Sequence, residues 1–390
     1  EDSVTVQAGL DASVTGDVVA KGDFIRVTGG EDVSTSNLTA ENGNIKVIAG
    51  KNADLKGAAK AKTVKVEATA GTIASIGTLE ATAGDITLKA GEDVNYLHAN
   101  ASGNITADAG RDIRAYGPTT AGGDVNLTAR GNLMSNGNGV IDAEGDAKLV
   151  AKDGDVILKA TVNAKNIAIE AGRDANTAAE LTAEAGDVIV EANSNVKLNG
   201  DVDASNIYVT AKEESLESNG VLTANGAIEL FAGTHAYINN DVTGGNVRAI
   251  TINNMFVDGN IEATDADIFL MSNRNAWING TLKANTDVHV DAIESLDVFN
   301  TVDAVTGSVM LNANNSLQAQ GAVTAAGDVS MTTDLGNLDV YGDVKAGEMA
   351  SFGSNYGNVA VYGDVEADYI VASTTNGNAS VSGNLTAEDS

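Results

Sequence analysis

The sequence contains no cysteine and has a single proline, Pro118, in 390 residues. The absence of thiols excludes a disulfide framework and any site that depends on a cysteine nucleophile or ligand. Only three histidines are present, His98, His235 and His289, and they are too far apart for an HExxH motif. Such a composition fits a secreted or cell-surface bacterial protein that hydrogen-bonded ladders stabilise.

Basic residues are also scarce, since 23 Lys and Arg face 54 Asp and Glu, for a formal net charge of -31. This surplus repels the phosphates of nucleic acids and the surfaces of anionic membranes. No run of about 18 or more apolar residues is present, so no segment is predicted to span a bilayer. The chain opens with Glu1, Asp2 and Ser3 without a signal segment, and we interpret it as a mature or excised region. We expect neither nucleic-acid binding nor membrane insertion.

A repeated motif organises the chain. Aromatic residues make up only 4% of it, and small residues dominate, so any core is narrow. The motif Gly-Asp/Asn-Val/Ile-x-Val/Leu-x-Ala recurs, and its first apolar residue, the anchor, returns every 19 to 22 residues. The anchors are Val4, Ile25, Ile45, Val64, Ile86, Ile105, Val125, Ala147, Ile167, Val188, Ile207, Ile228, Val247, Ile268, Val288, Val309, Val329, Met349 and Ile370.

The columns of this repeat predict stacked parallel strands. Two residues after each anchor the residue is apolar, with Ser351 as the one exception, as expected for the inward side of a strand. Four residues after each anchor the residue is small, and the Gly-Asp and Gly-Asn pairs before many anchors are turn formers that tolerate positive φ. Two shorter apolar alternations complete each coil.

The predicted fold is therefore all-β. We expect a right-handed parallel β-helix (β-solenoid) of about 19 coils of 19 to 22 residues, with three short strands per coil, in a single domain over residues 1–390. An antiparallel sandwich is the alternative, but its hairpins would have to alternate in direction, whereas here one unit repeats in one sense.

The motif resembles the haemagglutinin-type repeats of filamentous-haemagglutinin-like β-helical exoproteins. The segments that carry this resemblance are 83–91, 122–129 and 185–192, as in AGDITLKAG. The resemblance implies the shaft of a bacterial adhesin and is specific for the solenoid, while it says little about a ligand. The amino-terminal secretion domain of that family is not recognisable in this chain.

No catalytic constellation emerges from the sequence, and we expect a protein that is not an enzyme. Parallel β-helices that cleave pectins enclose their sites with long inserted loops, and no interval between anchors exceeds 22 residues. Aligned carboxylates before the anchors, with Asp124, Asp146 and Asp187 as the candidates, could bind Ca²⁺. Turn aspartates more often cap their own backbone, so we expect no cofactor, with calcium as the alternative.

Two kinds of surface are candidates for contacts with partners. The strand pattern begins and ends without a capping element, which predicts head-to-tail stacking of the chain on itself, or a longer covalent rod, through Val4, Val6, Leu385 and Ala387. An outward apolar patch predicts a lateral contact surface, although such columns can also simply shield the ladder. Its residues are Tyr208, Phe231, Ile250, Phe269, Met271 and Met310.

The function expected from these observations is a non-catalytic extracellular structural fibre or adhesin shaft that self-assembles end to end and contacts a host or surface glycan. A carbohydrate-binding or carbohydrate-cleaving β-helix protein is one alternative. A calcium-dependent surface-layer or matrix protein is another.

Overall fold

The computed structural model describes residues 2–387, and within them it contains strands and turns but no helix. The chain divides into two compact units. Unit 1 comprises Glu1–Asn193 and Leu198–Ala204, and unit 2 comprises Ser194–Lys197 and Ser205–Ser390. Each unit is a parallel β-solenoid, and about 19 turns are present in all, which confirms the predicted fold class. That residues 1–390 form one domain stays a prediction.

Each turn contributes a longer strand and then two shorter strands, which we call the first, second and third faces. In unit 1 the first face consists of Val4–Ala8, Phe24–Gly29, Asn44–Ala49, Val64–Ala68, Ile86–Ala90, Ile105–Ala109, Val125–Ala129, Ala147–Ala151, Ile167–Ala171 and Asp187–Ala192. In unit 2 it consists of Asn206–Ala211, Ala227–Ala232, Asn246–Thr251, Ile268–Ser272, Val288–Ala292, Val309–Ala313, Val329–Thr333, Met349–Ser354 and Tyr369–Thr374.

The second face in unit 1 consists of Ala12–Val14, Val33–Thr35, Ala53–Leu55, Ile113–Ala115, Leu133–Ser135, Val156–Leu158 and Ala175–Thr177. In unit 2 it consists of Leu216–Ser218, Ala236–Ile238, Met255–Val257, Ala276–Ile278, Ser295–Val298, Ser316–Ala319, Leu338–Val340, Val359–Val361 and Ala379–Val381. The division between the units falls within one further strand, Val196–Leu198.

The third face in unit 1 consists of Val18–Ala20, Leu38–Ala40, Ala59–Ala61, Thr119–Ala121, Ile141–Ala143, Val162–Ala164, Leu181–Ala183 and Val202–Ala204. In unit 2 it consists of Leu222–Ala224, Val242–Gly244, Ile261–Ala263, Leu282–Ala284, Val302–Ala304, Val323–Ala325, Val344–Ala346, Val365–Ala367 and Leu385–Ala387. Two strands of unit 1, Ile73–Ala81 and Val94–Ala101, continue through both the second and third faces.

The anchors lie in register on neighbouring strands. Val125 pairs with Ile105 on one side and with Ala147 on the other, in parallel strands. The anchor assigned to Met349 is wrong, because Ala350 is the residue that pairs with Val329. With this shift the inward residue two positions later is Phe352, which is buried, so the apparent exception at Ser351 is removed.

Inward side chains fill a narrow core. Along the first face, apolar anchors alternate with outward polar residues, and the Ala that ends most of these strands fits the corner because its side chain is small. Tyr96 is the large exception in unit 1. Its hydroxyl lies 2.9 Å from Thr119 Oγ1, and burial raises the pKa of Tyr96 to about 12.

The turn glycines are required for a reason other than the one predicted. No glycine among the described residues has a positive φ. A Cβ at Gly336 would overlap the backbone carbonyl oxygen of Asn315 in the preceding turn, and a Cβ at Gly145 would overlap Asp124 Oδ1. The glycines are therefore needed because neighbouring turns approach closely.

Asp and Asn side chains link many of the turns to the next one. In unit 1, Asp93 Oδ1 accepts the Asp112 backbone N–H at 3.2 Å, and Asp112 Oδ1 accepts the Asn132 N–H at 2.8 Å. In unit 2, Asn358 Oδ1 accepts the Asn378 N–H at 2.9 Å. We call these series Asx ladders. They satisfy backbone donors at corners where the strand ladder is interrupted.

An ion-pair cluster reinforces one Asx ladder. Arg111 donates to both carboxylate oxygens of Asp93, from Nε at 2.7 Å and from Nη2 at 2.6 Å, and Arg114 Nη2 donates to Asp112 at 2.6 Å. The Arg111 hydrogen bonds hold the pKa of Asp93 below its usual value, against the opposing effect of burial. Such a bidentate pair on a buried carboxylate is stronger than an exposed ion pair.

We expect Gly336→Ala to destabilise the protein by about 1 to 3 kcal/mol, because the new methyl group must displace the backbone of Asn315. Gly137→Ala is the matched control, since a Cβ there would have no neighbour within 4 Å. Urea unfolding followed by circular dichroism measures both. Equal effects of the two substitutions would contradict this explanation of the glycines.

We expect Asp93→Asn to lower the free energy of unfolding at pH 7 by about 1 to 3 kcal/mol. The folded-state pKa of Asp93 is depressed, so its stabilising effect is present above the unfolded pKa of about 3.9 and is lost as the pH falls through the folded value. The difference in the free energy of unfolding between Asp93→Asn and wild type should therefore become smaller in acid. Asp153→Asn is the control, because its pair with Arg130 is exposed. A difference that is independent of pH would contradict this role of the carboxylate.

Candidate functional site: the outward rows of the first face in unit 2

Two rows of outward side chains run along the first face of unit 2. Strand pairing places them in register, one residue per turn. Row 1 contains Tyr208, Glu229, Arg248, Phe269, His289, Met310, Ser330, Ser351 and Val371. Row 2 contains Thr210, Phe231, Ile250, Met271, Asp291, Asn312, Thr332, Gly353 and Ser373.

The apolar patch predicted for lateral contact lies on these rows. Phe231 pairs with Ile250, and Ile250 pairs with Met271, so these three side chains are consecutive in row 2. Tyr208, Phe269 and Met310 lie in row 1, where Met310 is exposed and the other two are half-buried. The structure brings the six residues to one face, and their role in contact with a partner stays a prediction.

Charged residues interrupt the apolar part of row 1. Glu229 and Arg248 separate Tyr208 from Phe269. The Arg248 guanidinium carbon lies 5.3 Å from the centre of the Phe269 ring, and the opposite neighbour, His289, meets that ring edge-on at 5.2 Å. Phe269 is thus already in contact with polar neighbours on both sides, which reduces the apolar surface that it offers.

Row 2 becomes polar after Met271 and borders a groove of about 560 Å³. The opposite wall is the corner that follows the first face. Its side chains are Ile293, Asn314, Asp334, Asn355 and Thr375. The groove extends over successive turns because both walls repeat once per turn.

The wall formed by row 2 is preorganised by hydrogen bonds between turns. Asn312 Nδ2 donates to Asp291 Oδ1 at 2.8 Å, and Thr332 Oγ1 donates to Asn312 Oδ1 at 2.7 Å. His289 Nε2 lies 2.9 Å from Asp291 Oδ2 without forming a hydrogen bond to any described residue. The series stops at Gly353, which has no side chain, so the wall is lower at that turn.

The second face of unit 2 carries an aromatic stack that was not predicted from the sequence. The ring centres of Tyr237 and Phe256 lie 5.0 Å apart, those of Phe256 and Trp277 lie 4.8 Å apart, and the planes are nearly parallel. The regular spacing of the three residues in the repeat is a signal that could have revealed it. Because the ring faces cover one another, the stack offers mainly ring edges rather than a platform for a sugar.

Asp297 follows Trp277 in the same outward column. Burial raises the pKa of Asp297, and the hydrogen bond from Trp277 opposes that effect. The stack therefore ends against a carboxylate that is partly shielded from water.

The carboxylates considered for calcium belong to an Asx ladder of unit 1. Asp124 Oδ1 accepts a hydrogen bond from the Asp146 backbone N–H at 2.9 Å, and Asp146 Oδ1 accepts one from Asn166 Nδ2 at 2.7 Å. The Asp187 N–H in turn donates to Asn166 Oδ1 at 3.0 Å. Within residues 2–387, no three His, Cys, Asp or Glu side chains converge on a point where a metal ion could lie.

The four residues considered for end-to-end assembly lie on terminal strands. Val4 and Val6 point inward on the first strand of unit 1 and are half-buried, whereas the paired Ile25 and Val27 are fully buried. Leu385 and Ala387, on the last described strand of unit 2, are exposed. The exposed fraction is 52% for Leu385 and 1% for its partner Val365.

Comparisons of this chain with protein-family models, with curated protein sequences and with solved structures find no match. In the described part of the chain there is no helix that is long and apolar enough to cross a membrane.

We expect the melting temperature to be the same in millimolar EDTA and in millimolar CaCl₂, because Oδ1 of Asp124 and Oδ1 of Asp146 already accept hydrogen bonds between turns. If the folded protein bound calcium, a free calcium concentration of 100 times the Kd would add about 2.7 kcal/mol to the free energy of unfolding. MgCl₂ at equal ionic strength controls for screening. A rise in melting temperature that occurs with calcium but not with magnesium, and that is lost in Asp124→Asn, would establish a metal site.

Proposed function

We propose that the chain is a non-catalytic structural component of an extracellular fibre, the shaft of a bacterial adhesin. The observation that carries this proposal is the continuous parallel pairing of neighbouring turns through strands on three faces within each unit. Among the described pairings of unit 1 the register shifts between Ser75 and Thr78, and the pairing continues on both sides of that shift. Asx ladders add links at many of the corners. Such a scaffold resists bending and local opening because every rung is bonded to the rungs on either side.

The surface of each unit supports a structural role. Turns of nearly constant length leave no long loop to enclose a reaction centre and exclude water from it. The resemblance of the Gly-Asp-Val/Ile repeats to those of filamentous-haemagglutinin-like exoproteins favours the same role. A location outside the cell is part of the proposal and is supported by this resemblance and by the absence of cysteine.

We further propose that copies of the chain associate end to end. The inward residues Val6 and Leu385 are incompletely covered, while their neighbours one turn away are buried. A solenoid turn of another copy, placed against these strands, would cover the apolar side chains and pair with the strand backbone. The net charge of -31 opposes the approach of two copies, so association should strengthen with salt.

We expect sedimentation velocity to show species that grow with protein concentration in multiples of the monomer mass. Val6→Lys and Leu385→Lys should shift the distribution toward monomer, because an inward ammonium group would have to be buried on stacking. Thr5→Lys and Thr386→Lys are the controls, since these outward neighbours carry the same charge without entering the contact. A monomer at every concentration, or equal effects of inward and outward lysines, would refute end-to-end assembly.

A further inference from the structure

The groove beside row 2 has the dimensions of a ligand site. Its volume of about 560 Å³ lies within the range of pockets that bind small molecules. Row 2 borders it over six consecutive turns, from Met271 to Ser373. At about 4.8 Å per turn, this corresponds to a length of about 25 Å, which suits an extended, linear ligand.

The charges of the lining exclude an anionic ligand. Among the described residues that line the groove, Asp291 and Asp334 are acidic and none is Lys or Arg. The chain as a whole carries a net charge of -31. Uronates, sulfated sugars and phosphates would therefore be repelled, so the ligand must be neutral or cationic.

The polar groups of the lining match hydroxyl groups. Carboxylates accept hydrogen bonds, carboxamides both accept and donate, and Thr and Ser hydroxyls do either, while a sugar hydroxyl also donates and accepts. The side chains of Asn314 and Ser373 make no hydrogen bond to any described residue. They therefore retain full capacity for a ligand.

The apolar lining is concentrated at one end of the groove. Ile293, which is 49% exposed, and Met271 line the groove there from opposite walls. These side chains suit the C–H face of a sugar ring. A peptide would need side-chain pockets along its whole length or backbone partners, and the backbone donors of these turns already bond to neighbouring turns.

From this geometry we infer that the groove between row 2 and the following corner, from Met271 to Thr375, is a binding site for a linear neutral oligosaccharide. The hydrogen-bonded series Asp291, Asn312 and Thr332 holds one wall in position, and Gly353, which has no side chain, leaves space for the ligand at its turn. The inference goes beyond the proposed fibre role and does not depend on it, because it concerns the side of unit 2 and not its terminal strand.

The test is isothermal titration calorimetry of the full chain with linear hexasaccharides of glucose, mannose, xylose and N-acetylglucosamine, with hexagalacturonate as the anionic comparison. We expect at least one neutral hexasaccharide to bind with a Kd of about 1 mM or tighter, and hexagalacturonate to bind at least about tenfold more weakly. Absence of binding by all the neutral probes would overturn the inference.

Gly353→Leu should weaken binding at least about tenfold, because the new side chain fills the groove. A Cβ at Gly353 has room, since its nearest neighbour would be Thr332 Cγ2 at 3.8 Å. Ser330→Leu is the matched control, because it adds the same side chain to row 1 of the same face, outside the groove. Equal affinities of Gly353→Leu and wild type would overturn the inference.

A second variant keeps the test decisive if Gly353→Leu does not fold. Asn314→Ala removes a carboxamide that makes no hydrogen bond to the described protein, so the melting temperature should not change while the affinity falls several-fold.

Binding of a neutral Ser-Gly-Asn peptide that Gly353→Leu abolishes, without binding of any hexasaccharide, would show that the groove is a peptide site and that the inference is wrong. Sedimentation of Gly353→Leu should match wild type, which separates this site from end-to-end assembly.

Discussion

The hydrogen bond between one turn and the next is the interaction on which the rest of the structure depends. Strand ladders supply it along the three faces, and at the corners Asp and Asn side chains accept backbone N–H groups of the following turn, as Asp112 does for Asn132. Among the described residues this narrow core buries many Ile, Leu and Val side chains but few aromatic ones, and the buried backbone donors must still be paired. The glycines follow from the same constraint, because turns this close leave no space for a Cβ.

Regular stacking also determines what the surface can do. Each outward position becomes a row, so a chemical property that repeats along the sequence becomes a continuous strip. In unit 2 the strip of row 2 changes from apolar at Phe231, Ile250 and Met271 to polar at Asp291, Asn312 and Thr332. Lateral contact and oligosaccharide binding would therefore occupy adjacent parts of one face without an inserted loop.

Much of the fold could be predicted because the inward pattern is local. The strand period of two and the return of the anchor every 19 to 22 residues locate the core positions, and the one misplaced anchor, Met349, was a shift by a single residue. The groove could not be predicted in the same way. In the sequence, Asn314 and Ser373 look like ordinary surface residues. They become part of a site only because they line the same groove as the residues of the opposite wall and Gly353, which has no side chain.

The sequence by itself determined the repeat, the inward face of each strand and the place of the turns, since these depend on residues a few positions apart. The tertiary structure alone decided how the rows meet across a corner, which glycines face a carbonyl oxygen and which carboxylates already hold a backbone amide. Those outcomes depend on the distance between adjacent turns, about 4.8 Å, and on side-chain directions that no single repeat specifies.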